Sequence, residues 1–262
     1  MKKYSLIVGS LLACLFISFS AFAQSDRNEA IIRSSLHGLE YQLKAGFNIG
    51  GITPIPIPAE IRSIDSYNPT VALSIGGEVT KWFGPEKNWG VVVGLNLDNK
   101  SMQTKATVKN YGMEIIGSSG ERVSGVWTGG VKTKADNTYL ALPVMAAYKI
   151  DNRWSVKAGP YVSYLLQGEF SGHVYDGYLR DGSPVGPKVE FKDGKIAAYD
   201  FSDEIRKFQW GAQLGAQWKA FNHLNVYADL TWGFNDIFKD DFKTVTFSMY
   251  PVYLNLGFGY MF

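Results

Sequence analysis

The sequence has little of what metal, thiol or nucleic-acid chemistry needs. It holds one cysteine, Cys14, and three histidines in 262 residues. Cys14 lies in an apolar run from Leu6 to Phe19, which follows Lys2 and Lys3 and precedes Ala21-Phe22-Ala23. A basic start, a short apolar centre and a small-x-small end form the pattern of a secretory signal peptide, here residues 1–23. Its removal leaves neither disulfide nor thiol chemistry. Leu11-Leu12-Ala13-Cys14 also fits a lipoprotein box, but the apolar run continues past the cysteine, which favours the later cleavage. No two histidines stand at metal-ligand spacing, so no metal and no other cofactor is expected. Beyond residue 23 no apolar run reaches the ~18 residues of a transmembrane helix. An excess of positive charge is missing as well. Without Lys2 and Lys3 the chain carries 24 basic and 24 acidic residues, which leaves no electrostatic case for nucleic acid.

What is present is glycine (28 residues), aromatics (15 %) and short rows of alternating polarity. The last twelve residues show the pattern. Val252, Leu254, Leu256, Phe258, Tyr260 and Phe262 share one face, while Tyr253, Asn255, Gly257, Gly259 and Met261 share the other. Seven earlier stretches repeat it, from Tyr41–Ile49 to Leu224–Phe234, and the connections between them alternate short and long. The apolar faces carry almost no charge, and the opposite faces are Gly, Ser, Gln and Asn. A soluble barrel would reverse this, with apolar residues inward and charge outward. A lysine or arginine facing lipid at mid-depth costs ~2–4 kcal/mol, so its absence is informative. Aromatic residues cluster near the short turns, as an interfacial girdle would. The pattern predicts an all-β fold, an eight-stranded antiparallel up-and-down transmembrane β-barrel with short periplasmic turns and long extracellular loops. It would span residues 40–262, after a periplasmic lead-in over 24–39, in the bacterial outer membrane.

Among the loops, residues 53–62 carry three prolines and read as a stiff, extended connection. Residues 100–135 read as strand extensions rising into a long hairpin. Residues 168–206 read as a second long loop, with a small exposed hairpin turning at Asp193-Gly194.

Parity places Lys44, Glu78, Asp98, Lys149, Lys157 and Asp229 inside the barrel. Ions in a narrow lumen must pair or reach water at its ends, so these residues are expected to form a charged network plugging it. A narrow porin-like channel for small solutes is the alternative. In the loops, Trp127, Tyr175, Tyr178, Phe191 and Tyr199 are candidate anchors for a protein or glycan partner; they could equally pack the loops on one another. His173, in Ser171-Gly-His-Val-Tyr-Asp176, is the one histidine placed for a rim enzyme acting on lipid A or phospholipid. A rim histidine is more often plain surface. The reading is a non-enzymatic barrel, structural or partner-binding through its loops.

The segment Asn255-Leu-Gly-Phe-Gly-Tyr-Met-Phe262 resembles the C-terminal β-signal of bacterial outer-membrane proteins, with Asn255, Gly257, Tyr260 and Phe262 at its marked positions. Tyr139-Leu-Ala-Leu-Pro-Val and Ala158-Gly-Pro-Tyr-Val-Ser-Tyr-Leu-Leu166 resemble the PorT-like (porin-family) outer-membrane β-barrel proteins. The resemblance implies partnership with outer-membrane lipid and lipopolysaccharide, and with the barrel-assembly and secretory machinery during biogenesis. Phe262→Asp is therefore expected to impair assembly, read as loss of the heat-modifiable folded band on electrophoresis; a normal folded yield would contradict it.

Overall fold

A computed structural model describes residues 38–70, 72–116 and 122–262. The segments expected to be a signal peptide, 1–23, and a periplasmic lead-in, 24–39, lie outside the described residues except for 38 and 39. Residues 40–262 form one compact unit. Its strands are β1 (Leu39–Pro54), β2 (Ile61–Asn68), β3 (Ala72–Phe83), β4 (Trp89–Ile116) and β5 (Arg122–Lys149). They continue with β6 (Trp154–Asp181), β7 (Lys188–Asp200), β8 (Phe208–Lys219), β9 (Leu224–Gly233) and β10 (Met249–Met261). A 3-10 turn, Ser202–Glu204, is the one helical element among the described residues.

All ten strands belong to one antiparallel, barrel-like sheet. Its pairings run from β4 through β3, β1, β10, β9, β8, β6 and β5 and return to β4, while β2 and β7 pair off this path. The expectation of eight strands is thereby overturned. The reason is the length of β4, β5 and β6, each 28 residues, against 12 for β3 and β8. Above those shorter neighbours, long edges of β4 and β6 would be left with unpaired backbone groups. β2 covers β4 from Gln103 to Val108, and β7 covers β6 from Ser171 to Arg180. Both strands come from segments expected to be loops. The separate hairpin at Asp193-Gly194 does not form, because β7 pairs with β6 on either side of a break in register between Tyr175 and Gly177.

The terminal strands meet, with Gln42 opposite Met261 and Pro54 opposite Met249 in one continuous register. Alternation then sorts the side chains. Leu43 (58 % exposed), Leu73 (65 %), Leu214 (59 %) and Phe258 (60 %) point outward, while Gln42, Lys44, Asn48 and Asn255 are buried within. This is the inverse of a soluble protein, whose large exposed apolar surface is limited to small patches. Tight turns close the short-turn end. At one of them, Asp151 Oδ1 accepts the backbone N–H groups of Arg153 at 2.6 Å and Trp154 at 2.7 Å, and these bonds hold its carboxyl below the usual range.

At the far end the interior changes character. Met102, Val108, Met113, Trp127, Phe170, Val174, Leu179, Tyr199, Phe201, Ile237 and Phe238 form an apolar core. Ile237 and Phe238, from the segment between β9 and β10, drop into it beside Phe170, with 5.1 Å between the Phe170 and Phe238 rings. The β4–β7 extension is thus a packed structure rather than a set of loose loops. Trp127→Ala removes a fully buried indole, a change that costs ~3–5 kcal/mol. It is expected to open the extension to proteolysis around the exposed Val185, seen as new fragments on limited digestion, while the rest of the sheet stays resistant.

Candidate functional site

The lumen residues were singled out by parity alone, and the sheet brings four of the six together. Lys44 from β1, Glu78 from β3, Lys157 from β6 and Asp229 from β9 form a buried cluster of two positive and two negative charges. Lys44 Nζ donates to Glu78 Oε1 at 2.7 Å and to Asp229 Oδ2. Lys157 Nζ donates to both Glu78 oxygens, at 2.7 and 2.8 Å, and stands 3.2 Å from Asp229 Oδ2. Lys44 also lies 4.0 Å from the centre of the Tyr227 ring, a cation–π contact that replaces water on its open side. Desolvating four ions is costly, and only mutual pairing at this density offsets it.

Glycine makes the room. A Cβ on Gly215 would stand 2.2 Å from Asp229 Oδ1 and 2.6 Å from Lys157 Cε. One on Gly257 would meet the Tyr227 hydroxyl at 2.7 Å and the Ala45 carbonyl oxygen at 2.2 Å. Gly257 therefore has a packing reason for its identity beyond any assembly signal. The other terminal-strand residues sit as follows. Asn255 donates its amide to Asn48 Oδ1 at 2.7 Å inside the lumen. Tyr260 is exposed and stacks on His223, with ring centres 5.7 Å apart. Phe262 is exposed and meets Tyr260 edge-on at 5.1 Å.

The other two lumen charges stand apart from the cluster. Asp98 is buried one layer on, accepting from Ser74 Oγ at 2.6 Å. Lys149 sits at the short-turn mouth, half-buried, 3.5 Å from Glu40 and 3.9 Å from the Trp82 ring centre. Lys100 was missed, although it shares the parity of Asp98 two residues earlier. It is buried under Tyr139, Tyr161 and Tyr253, whose ring centres lie 5.4–5.8 Å from Nζ, and it donates to Thr231 at 3.3 Å. A buried cation among ring faces marks the step from the charged layer to the apolar core above.

The loop aromatics divide. Trp127 is fully buried and meets Phe191 edge-on at 5.4 Å; Tyr199 is buried with its hydroxyl 2.6 Å from Thr133 Oγ1. These three pack the extension on itself and are not free anchors. Tyr175 and Tyr178 are half-buried on its surface, Tyr178 with Lys188 4.3 Å above its ring. His173 does not form a nucleophile–base pair with Ser171, whose hydroxyl donates to Glu169 at 2.9 Å. Burial, and then the charges of Lys132 and Lys105, hold its imidazole below its usual pKa. Among the described residues no group of three or more histidine, cysteine or acidic side chains could hold a metal ion.

A closed run of pairings with lipid-compatible side chains outside and polar ones inside defines an integral β-protein of the bacterial outer membrane. The chain belongs to the family described as the outer membrane protein beta-barrel domain, which matches residues 22–239. Solved structures with a similar trace include Ail, the attachment invasion locus protein of Yersinia pestis, at 11 % identity and a TM-score of 0.39, over 85 % of this chain and 98 % of that one. Neisserial surface protein A is similar at 11 % identity and 0.33, over 86 % and 97 %, and OprG of Pseudomonas aeruginosa at 14 % and 0.32, over 85 % and 95 %. A comparison with curated protein sequences finds no match.

Glu78→Gln leaves Lys44 and Lys157 to share Asp229 and exposes the cost of a buried, unbalanced cation. The expected loss is ~3–5 kcal/mol, measured as a fall in the urea midpoint of folding into vesicles. Lys149→Gln, at the wet mouth, is expected to change that midpoint by no more than ~1 kcal/mol.

Proposed function

We propose that this protein is a non-enzymatic outer-membrane barrel whose interior does not conduct and whose work is done by the β4–β7 extension on the cell surface. The observation that carries this is the filling of the interior in successive layers. The four-charge cluster is followed by Asp98 and by Lys100 with its tyrosines, and then by the apolar core around Trp127 and Phe170. A conducting path would have to breach a buried ion network and a hydrophobic layer in turn, each of them costly to open.

The extension suits a binding role. Five strands, β2 and β4 to β7, form a packed body beyond the lipid-facing rows, which holds surface residues in fixed positions instead of on mobile loops. In the same reading residues 1–23 are a cleaved signal, 24–39 a periplasmic lead-in, and Asn255–Phe262 the segment met by the assembly machinery. The Leu-Pro and Gly-Pro-Tyr steps at Leu142-Pro143 and Gly159-Pro160-Tyr161 support placement among PorT-like proteins.

Single-channel recording in planar bilayers is the test. No sustained openings are expected from the wild-type protein, and a steady conductance at low voltage would replace this reading with that of a narrow channel.

A further inference from the structure

The outward face of the extension carries an arrangement of charge that folding alone does not favour. Register places Lys105 of β4 directly opposite Lys132 of β5, and Lys132 directly opposite His173 of β6. Side chains paired in this way have Cβ atoms ~4.5–5.5 Å apart, and like charges so placed destabilise a sheet. The row ends in Ser66 of β2 on one side and Ala198 of β7 on the other, so no carboxylate stands in it. Among the described residues neither Lys105 nor Lys132 takes part in an ion pair or hydrogen bond through its ammonium group.

The neighbouring acids are already engaged or lie at the margins. Glu169 holds Lys134 at 2.7 Å and accepts from Ser171. On β7, Asp200 accepts from the Ser202 hydroxyl at 2.5 Å and from its backbone N–H at 2.9 Å. Asp65 of β2 is tied to Ser63 and Thr107. What remains is a strip of two lysines beside a histidine that burial, and then those charges, hold below its usual pKa.

The strip borders an open hollow of ≈ 480 Å³ lined by Lys132, Lys134, Ser171 and His173 and, from β7, by Asp200, whose carboxylate is held by Ser202; Lys105, opposite Lys132 in register, lies outside the lining. That volume lies within the ~300–1,000 Å³ usual for small-ligand sites and exceeds the needs of an inorganic anion. Beside it, the Tyr175 ring stands 6.1 Å from His173 and offers an apolar flank. Lys132 lies eight residues along β5 from Leu140, its last outward-facing leucine. At ~3.4 Å per residue on a tilted strand, the strip stands ~20 Å beyond the lipid-facing rows. Acyl chains do not reach that height, whereas saccharide does.

The geometry points to this hollow as a binding site for a phosphomonoester carried on a saccharide, with Lys105 and Lys132 balancing its charge, His173 donating as an imidazolium and Ser171 turning its hydroxyl to a phosphate oxygen. A phosphomonoester carries ~1.5–2 negative charges, which matches two unpaired lysines. Its arrival would offset the lysine charges that, after burial, hold His173 below its usual pKa, and would set an anion beside the ring, so binding favours the imidazolium. The inference rests on the reading that the extension is the protein's outward working surface. The same chemistry is offered by phosphorylated sugars of lipopolysaccharide in the surrounding leaflet and by free sugar phosphates.

The test uses the full-length protein in phosphatidylcholine nanodiscs, titrated calorimetrically with glucose 1-phosphate and with glucose. Binding of the first and not the second is expected, with Lys105→Gln and Lys132→Gln each weakening it about tenfold or more, the effect of losing one charge-assisted contact. Lys243→Gln, elsewhere on the surface, is expected to leave it unchanged. The His173 ring signals in the NMR spectrum should move toward the imidazolium form on binding at neutral pH, a change that a merely structural residue would not show. Nanodiscs containing lipopolysaccharide, before and after dephosphorylation, separate the sources. Competition that disappears on dephosphorylation assigns the ligand to the membrane, and unchanged binding of glucose 1-phosphate assigns it to the free pool. Equal affinity for glucose and glucose 1-phosphate, or lysine variants that bind as wild type, would overturn the site. If the protein also fails to conduct, the sealed-barrel reading survives that result.

Discussion

In hydrocarbon an unpaired backbone N–H or C=O costs several kcal/mol, and a sheet can avoid that cost only by closing on itself. Much of the structure follows from this. The chain ends must meet, and β1 pairs with β10 over thirteen residue pairs. Closure fixes which side chains face out, so the rows containing Leu43, Leu73, Leu214 and Phe258 are committed to lipid and their alternates to the interior. The same requirement continues above the membrane in weaker form. Water can satisfy an exposed edge there, yet β4 and β6 are long enough that recruited strands, β2 and β7, cover them.

Closure also creates the second constraint, a narrow interior. Whatever alternation sends inward must fit and must be electrically balanced. Gly215, Gly46 and Gly257 stand where a Cβ would strike the charged cluster or the Tyr227 hydroxyl, so small residues and large polar ones are placed as complements. Four charges sum to zero within one cluster, and Lys44 gains the Tyr227 ring as well. Such a cluster is weak evidence for stability, since desolvation consumes most of the Coulombic gain. In the proposed reading its effect is on permeation, because breaking it would leave buried charge uncompensated, and the apolar core beyond it acts as a second barrier of different physical kind. By contrast, the outward face of the extension leaves positive charge unbalanced, where nothing in the fold demands it.

How much of this can be read without the structure depends on the distance over which each signal acts. Alternation is local, so the outward rows, the short turns and the inward parity of Lys44, Glu78, Lys157 and Asp229 are legible from period two. Ten strands instead of eight was not legible. β2 has the sequence Ile61-Arg-Ser-Ile-Asp-Ser-Tyr-Asn68, with no apolar face, and only the uncovered edge of β4 makes it a strand. Likewise Asp193-Gly194 carries a hairpin signal, but β6 offered β7 a longer partner than a local hairpin could. Trp127, Phe191 and Tyr199 looked as much like surface anchors as packing residues, because an aromatic in a long loop has no period to declare its side.

The sequence by itself determined the compartment, the all-β class, the face each membrane strand turns to lipid and the identity of the inward charges, because alternation is written in neighbouring residues. Only the tertiary structure decided the strand number, the burial of the loop aromatics, the layering of charge beneath an apolar core and the meeting of Lys105, Lys132 and His173. Those depend on register between strands far apart in the chain, and register is set by closure and edge pairing, which no local stretch of sequence records.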